Sequence, residues 1–254
     1  MDTVDETQNI YTDQTRKSPI TSSRGNKYIL ITYIYDDNAI LSSPLNIISG
    51  SHIVEAYTKQ VEHLTHRWYR PRVHWLDNEA SDSLKKYNKQ KDIDYQLVPP
   101  HIHRVNASEQ AIMKWKDHFI AGISITDTRF PTNMWCQLIP QATMKLNMMI
   151  SCRRNPTMLA HTVLERQFDF SKTPLTPPGI KVIVHGKPQH HKTWGIHGVP
   201  GWCIRPVMEH CRFYICHTPN PRGGGRIDVV DFFHNTSSCR DYQQQNKPPG
   251  LPNN

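Results

Sequence analysis

Three acidic side chains sit in phrases whose chemistry can be named before any fold is known. They are Asp13 in Tyr11-Thr-Asp-Gln-Thr15, Asp77 in Trp75-Leu-Asp-Asn-Glu79, and Glu109 in Asn106-Ala-Ser-Glu-Gln110. The second phrase follows a short β-like run, Arg72-Val-His-Trp-Leu76, and the third opens an amphipathic stretch after a Pro-Pro loop. Carboxylate oxygens are hard donors, and a converging set of them can hold two divalent cations, Mg2+ or Mn2+, against a phosphodiester. The chemistry to expect of such a triad is phosphoryl transfer on a polynucleotide.

Positioning them requires strands and a helix in a particular order. Tyr28 to Tyr35 reads as a buried strand, turned at Asp36-Asp37-Asn38 into a neighbour beginning Ala39-Ile-Leu41, with an earlier strand around Ile10 to Thr15 bearing Asp13. A helix starts near Ser49-Gly50-Ser51, with Ile53, Tyr57, Val61, Leu64 and Trp68 as its inward stripe, and Pro71 stops it. The run around Val73 delivers Asp77. A short helix from about Ala80 to Asn88 and a strand from Ile93 to Val98 follow. The helix of Glu109 carries Ile112, Trp115, Phe119 and Ile123 inward, with Glu109 at the rim of that stripe and Lys116 at the same angular position. A helix from Thr132 to Met149 is expected to kink at Pro140 and to turn Met149 inward, and a short one covers Pro156 to Glu165. The fold class expected is α/β, a mixed sheet flanked by helices, with a small C-terminal β-rich domain.

The bulk properties narrow the partners. The chain has 254 residues, 37% hydrophobic and 9% aromatic, enough for a core. Its longest apolar runs are too short for a bilayer crossing, and its acidic first residues resemble neither a secretory signal nor a transit peptide. No membrane partner is expected. A net charge of +8 suits a phosphate backbone. Six dispersed cysteines suggest no disulfide framework, and no Cys/His spacing fits zinc.

With those residues in view, the chain resembles the integrase core of LTR-retrotransposon (copia-like or gypsy-like) Gag-Pol polyproteins. The likeness is carried by Tyr11-Thr-Asp-Gln-Thr15 with Thr21-Ser-Ser-Arg-Gly-Asn-Lys-Tyr-Ile29, by Leu76-Asp-Asn-Glu79, and by Val98-Pro-Pro-His101 with Asn106-Ala-Ser-Glu109. Later phrases are similar too: Asn155-Pro156, Pro177-Pro-Gly179, Lys192-Thr-Trp-Gly-Ile-His-Gly-Val-Pro-Gly-Trp202, and Ile227-Asp-Val-Val-Asp-Phe-Phe233. The resemblance implies an RNase H-like fold and a catalytic, metal-binding triad of Asp13, Asp77 and Glu109 with two Mg2+ or Mn2+ ions. It implies 3′-end processing and strand transfer of element DNA into target DNA, a homo-oligomer, and a nuclear location. Lys114 and Lys116 are the expected DNA-binding residues. The chain departs from the family pattern at Arg16, where glycine is usual, and at Gln110, where a basic residue is usual. The expected layout is a disordered tail at 1–9, a catalytic core at 10–167, a Pro-rich linker at 168–179, a β-rich module at 180–235 and a disordered tail at 236–254.

Each residue also has a plainer reading. Asp77 can cap a helix, Glu109 can favour a helix start through the dipole, and Asp36 or Asp37 can be turn formers or can stand in for Asp13. Lys85, Lys86, Lys89 and Lys91 read as a solvated face, Arg153 and Arg154 as surface, and Trp115 and Trp135 as core. The rival to a working transferase is a catalytically inactive polyprotein fragment, or a domesticated DNA-binding protein on the same scaffold.

Overall fold

The computed structural model describes residues 8–76, 81–97, 107–185, 198–208, 210, 212–219, 225–227 and 230–232. Asp77, the loop at 98–106, and both tails of the expected layout (1–7 of the first, all of 236–254) lie outside the described residues.

Tyr28–Ile34 is apolar at nearly every position, which suits a strand covered on both faces. It forms β2, between β1 (Asn9–Gln14) and β3 (Ala39–Leu45). Both pairings are antiparallel. On the other side of β1, β4 (Val73–Leu76) pairs parallel, and β5 (Asp94–Leu97) pairs parallel with β4. The order β3-β2-β1-β4-β5, with three antiparallel strands followed by two parallel ones, is that of an RNase H-like fold.

Helices cover both faces. α1 (Gly50–His66) and α2 (Asp82–Gln90) take one. There the Gln60 amide accepts from Thr32 at 2.5 Å and donates to Ser43 at 2.9 Å. Tyr57 stacks on the His74 ring with centroids 4.5 Å apart, and the same ring meets Asn88 of α2. His74 is fully buried: Asn88 Nδ2 stands 2.9 Å from Nδ1 and Thr12 Oγ1 2.6 Å from Nε2. Burial pulls its pKa down to about 3, so the ring is a neutral packing element.

α3 (Ala107–Ser124) and α4 (Trp135–Asn147) take the other face, with α5 (Ala160–Glu165) at its border. Trp115 is buried in α3 and donates to Thr143 of α4 at 2.8 Å, and that hydroxyl also meets Ser42 of β3. α4 runs through Pro140, and a 3₁₀ turn at Thr132–Met134 precedes it. Asn147 at its C-terminal end clamps the edge strand, accepting from the Ile40 N–H at 2.9 Å and donating to the Ile40 carbonyl at 2.8 Å. Among the described residues no helix is long and apolar enough to cross a membrane.

A second, antiparallel sheet follows, in the order β10-β6-β7-β8-β9. Its strands are β6 (Lys181–His185), β7 (Gly198–Pro206), β8 (Tyr214–His217), β9 (Gly225–Ile227) and β10 (Val230–Phe232). It has its own small core of Val182, Val184, Cys203, Tyr214 and Cys216, whereas Ile204, next in sequence, joins the main core. The segment leading into it is fastened at both ends. Gln141 and Lys145 of α4 donate to the Thr176 carbonyl, and the Gly179 N–H donates to the Cys203 carbonyl at 2.8 Å. Gly179 has φ +65°, and a Cβ there would stand 2.8 Å from Thr126 Cγ2, so the position admits only glycine.

Three expectations fail in instructive ways. Trp68 does not join the inward stripe of α1: the helix ends at His66, and Trp68 is 90% exposed at φ +66°. Met149 lies past the end of α4 and is exposed. Arg153 and Arg154 are not bare surface. Arg153 packs over the Tyr35 ring at 4.3 Å and donates to the Tyr33 hydroxyl at 2.8 Å, while Arg154 pairs with Asp37.

Candidate active site

The two ends of β1 treat carboxylates differently. At its C-terminal end, Asp13 sits opposite Ile31 of β2, which sits opposite Ser42 of β3. Side chains alternate along a strand, and Thr12 faces His74 on the α1 side, so Asp13 faces the α3/α4 side. The row from Asp13 leads through Ile31 to Ser42, and from there by hydroxyl contacts to Thr143 and Trp115. Asp13 is half-buried, and its Oδ1 accepts from the Gln14 N–H at 2.7 Å.

α3 lies across β1 and β2 on that same face, with Glu109 exposed in its first turn. Ser108, Ala111, Trp115 and Phe119 form its buried stripe. At about 100° per residue, Glu109 and Lys116 stand within roughly 20° of each other on one flank, and Lys114 is about 140° round from Glu109. Lys114 and Lys116 are both exposed.

The register also fixes where β4 points. Tyr11 pairs with Trp75, so Leu76, the last described residue of β4, is level with Thr12 and one step short of Asp13. Asp77 itself lies outside the described residues. Among the described residues no group of three or more His, Cys, Asp or Glu side chains is placed to hold a metal ion.

The rival carboxylates are at the other end of β1. Asp36 Oδ2 accepts from the Asn9 N–H at 3.2 Å, four residues and roughly 13 Å of strand from Asp13. Asp37 is fully buried, with Arg154 donating twice to its Oδ1, at 2.8 and 2.5 Å. That pair pins the β2–β3 turn to the segment after α4, and Asp37 is a structural anchor.

No family model matches the chain, and a search of curated proteins finds no match either. Among solved structures it is similar to a chain in the cryo-electron microscopy structure of the simian T-cell lymphotropic virus intasome in complex with PP2A regulatory subunit B56 gamma. The identity is 10% and the TM-score 0.50, over 89% of this chain and 78% of that one. It is also similar to the crystal structure of the catalytic core domain of BIV integrase, at 14% identity and a TM-score of 0.42, over 56% of this chain and 84% of that one. At 10% identity the first likeness is one of fold, and it agrees with the strand order seen here.

Proposed function

We propose that the chain is an integrase-like polynucleotidyl transferase of the LTR-retrotransposon type, acting on DNA ends and on target DNA. The observation that carries this reading is the position of Asp13. It lies on the central strand of an RNase H-like sheet, on the face covered by the helix whose first turn bears Glu109.

The donor set fits hard divalent cations. Asp13, Glu109 and Asp77 offer only carboxylate oxygens, the ligands that Mg2+ and Mn2+ prefer. The chemistry supplied by a bound pair of such ions is activation of water or a DNA 3′-hydroxyl and stabilisation of the leaving oxygen. The chain's own contribution is to fix the carboxylates on rigid elements, Asp13 by the β1–β2 ladder and Glu109 by the Trp115–Thr143 anchor of α3. Lys116, on the flank of Glu109, adds a positive charge beside the same phosphate, and Lys114 serves DNA on the other flank. The surplus of 30 Lys and Arg over 22 Asp and Glu favours association with a polyanion. Two DNA ends joined in one reaction call for a homo-oligomer, and the reaction belongs in the nucleus. The catalytic unit of this proposal is 10–167, with 168–179 leading into the β-rich module at 180–235.

The test is incubation of the full chain with labelled linear DNA in Mn2+. Strand transfer or end trimming is expected, with a loss on the order of 100-fold or more in Asp13→Asn, Asp77→Asn and Glu109→Gln. Salt-sensitive DNA binding with no cleavage by the unaltered chain would make it an inactive relative that keeps only the scaffold.

A further inference from the structure

The C-terminal half of α1 and the loop after it form a second charged surface, on the face of the sheet away from α3. From Lys59 to Arg72 the chain reads Lys-Gln-Val-Glu-His-Leu-Thr-His-Arg-Trp-Tyr-Arg-Pro-Arg, four Lys or Arg against the single acid Glu62, although Lys59 is already paired with Glu55, one turn back, at 2.7 Å. Lys59, His63 and Arg67 are spaced by four and therefore share one side of the helix. That side lines an open cleft of about 860 Å³, which Arg166, Asp169 and Lys172 also line. Glu165 orders the wall, meeting His63 at 2.6 Å and Arg67 at 2.5 Å. Burial pushes the Glu165 carboxyl upward, but the His63 hydrogen bond and the nearby cations outweigh it and hold the group below its usual range. Beyond the cleft the track continues through exposed Trp68, Arg70 and Arg72. Arg70 and Arg72 form no ion pair among the described residues.

Two residues beside this track hold backbone conformations that L side chains avoid. Trp68 has φ +66° and Arg166 has φ +110°. Glycine would relax either position, yet a large indole and a guanidinium stand there, turned to solvent. At Trp68 the left-handed turn closes α1, with the Trp68 N–H on the Thr65 carbonyl and the Tyr69 N–H on the Leu64 carbonyl, and it leaves the indole standing out from the helix end. An indole exposed over 90% of its surface, set between arginines, offers a face on which an unpaired base can stack while the cations follow the phosphates. A duplex hides the faces of its bases and cannot use that indole.

We propose that the track from Lys59 through Arg72, with Trp68 as its stacking platform, binds single-stranded nucleic acid. The site is separate from the carboxylates: the loop enters β4 level with Asn9, at the far end of β1 from Asp13. It stands independently of the transferase reading.

The test is fluorescence anisotropy of the full chain with labelled oligothymidylate and oligouridylate of about 20 nucleotides and a duplex of equal length, across a salt series. Single-strand binding that depends on Trp68, beside duplex binding that does not, is expected, and the tighter of the two single strands names the natural strand. Trp68→Ala should weaken single-strand binding about tenfold, with Trp68→Phe recovering most of it. Arg70→Ala with Arg72→Ala should flatten the log–log salt slope by about 1.4. Single-strand binding by Trp68→Ala equal to that of the unaltered chain, or duplex binding weakened by Trp68→Ala as much as single-strand binding, would each overturn the assignment. Circular dichroism melting of Trp68→Ala, whose side chain touches little, separates lost binding from lost fold.

Discussion

Asp13 lies near the end of β1 and Asp37 in the turn after β2, and the two aspartates have opposite surroundings. Asp37 is buried, held on one oxygen by the Arg154 fork, and its Oδ2 is buried with no hydrogen-bond partner among the described residues. Asp13 is half-buried on the face that α3 covers, one step beyond the level of Leu76, the last residue of the parallel strand β4. An enclosed carboxylate with a fixed guanidinium ties distant segments together. Asp13 instead receives the Gln14 N–H on its Oδ1 at 2.7 Å. The burial and the partner separate the two; the local phrase does not.

The sharpest way to break this contrast is Arg154→Ala. It strands the buried Asp37 carboxylate without its counter-charge and should cost about 3 kcal/mol of stability, read as a fall in the urea midpoint. Asp13→Asn should shift the same midpoint by less than about 1 kcal/mol while abolishing metal-dependent DNA cleavage. If Arg154→Ala melts like the unaltered chain, Asp37 is no anchor.

The α1 face gives a second, pH-dependent contrast. His74 is held far below its unfolded pKa of 6.5 by burial, so the folded ring stays neutral while the unfolded chain takes up a proton. Its contribution to stability is complete above about pH 6.5 and falls by roughly 1 kcal/mol per pH unit as the pH drops toward 3. Urea titrations should show the gap between the unaltered chain and His74→Gln narrowing over that window. A constant gap would mean that the ring is not enclosed.

The smallest effect concerns Trp68. Trp68→Gly should be more stable than Trp68→Ala by roughly 1 kcal/mol, because only glycine is unstrained at φ +66°. Equal melting temperatures would remove the strain argument from the single-strand surface.

Much of this architecture could be read from local pattern. The run Tyr28–Ile34 announces a strand with both faces covered, Tyr57, Val61 and Leu64 announce the buried side of α1, and Trp115 and Phe119 that of α3. Arg153 and Arg154 misled because their partners, Tyr33 and Asp37, lie far away in sequence. Arg154 finds Asp37 across 117 residues, and Asn147 finds Ile40 across 107. Trp68 continues the periodicity of α1 by number, but the helix closes at His66 with the Arg67 N–H on the Leu64 carbonyl, and the next residue turns left-handed. Periodicity does not register where a helix stops. Of the candidate site, the types and order of Asp13 and Glu109 were legible, but the shared face of the sheet needed the register of β1 against β2, β3 and β4.

The grip of Asn147 on Ile40 has a consequence for how copies of this chain can associate. An unpaired border strand is a template on which further strands can stack without limit, but here one residue's outward main chain is already occupied, and Pro44, four positions on, has no N–H to offer. Growth by ribbon-to-ribbon addition is thereby blocked along β3. Association at this border must therefore use side chains, helices or loops, whereas β5 at the other border of the sheet carries no such clamp among the described residues.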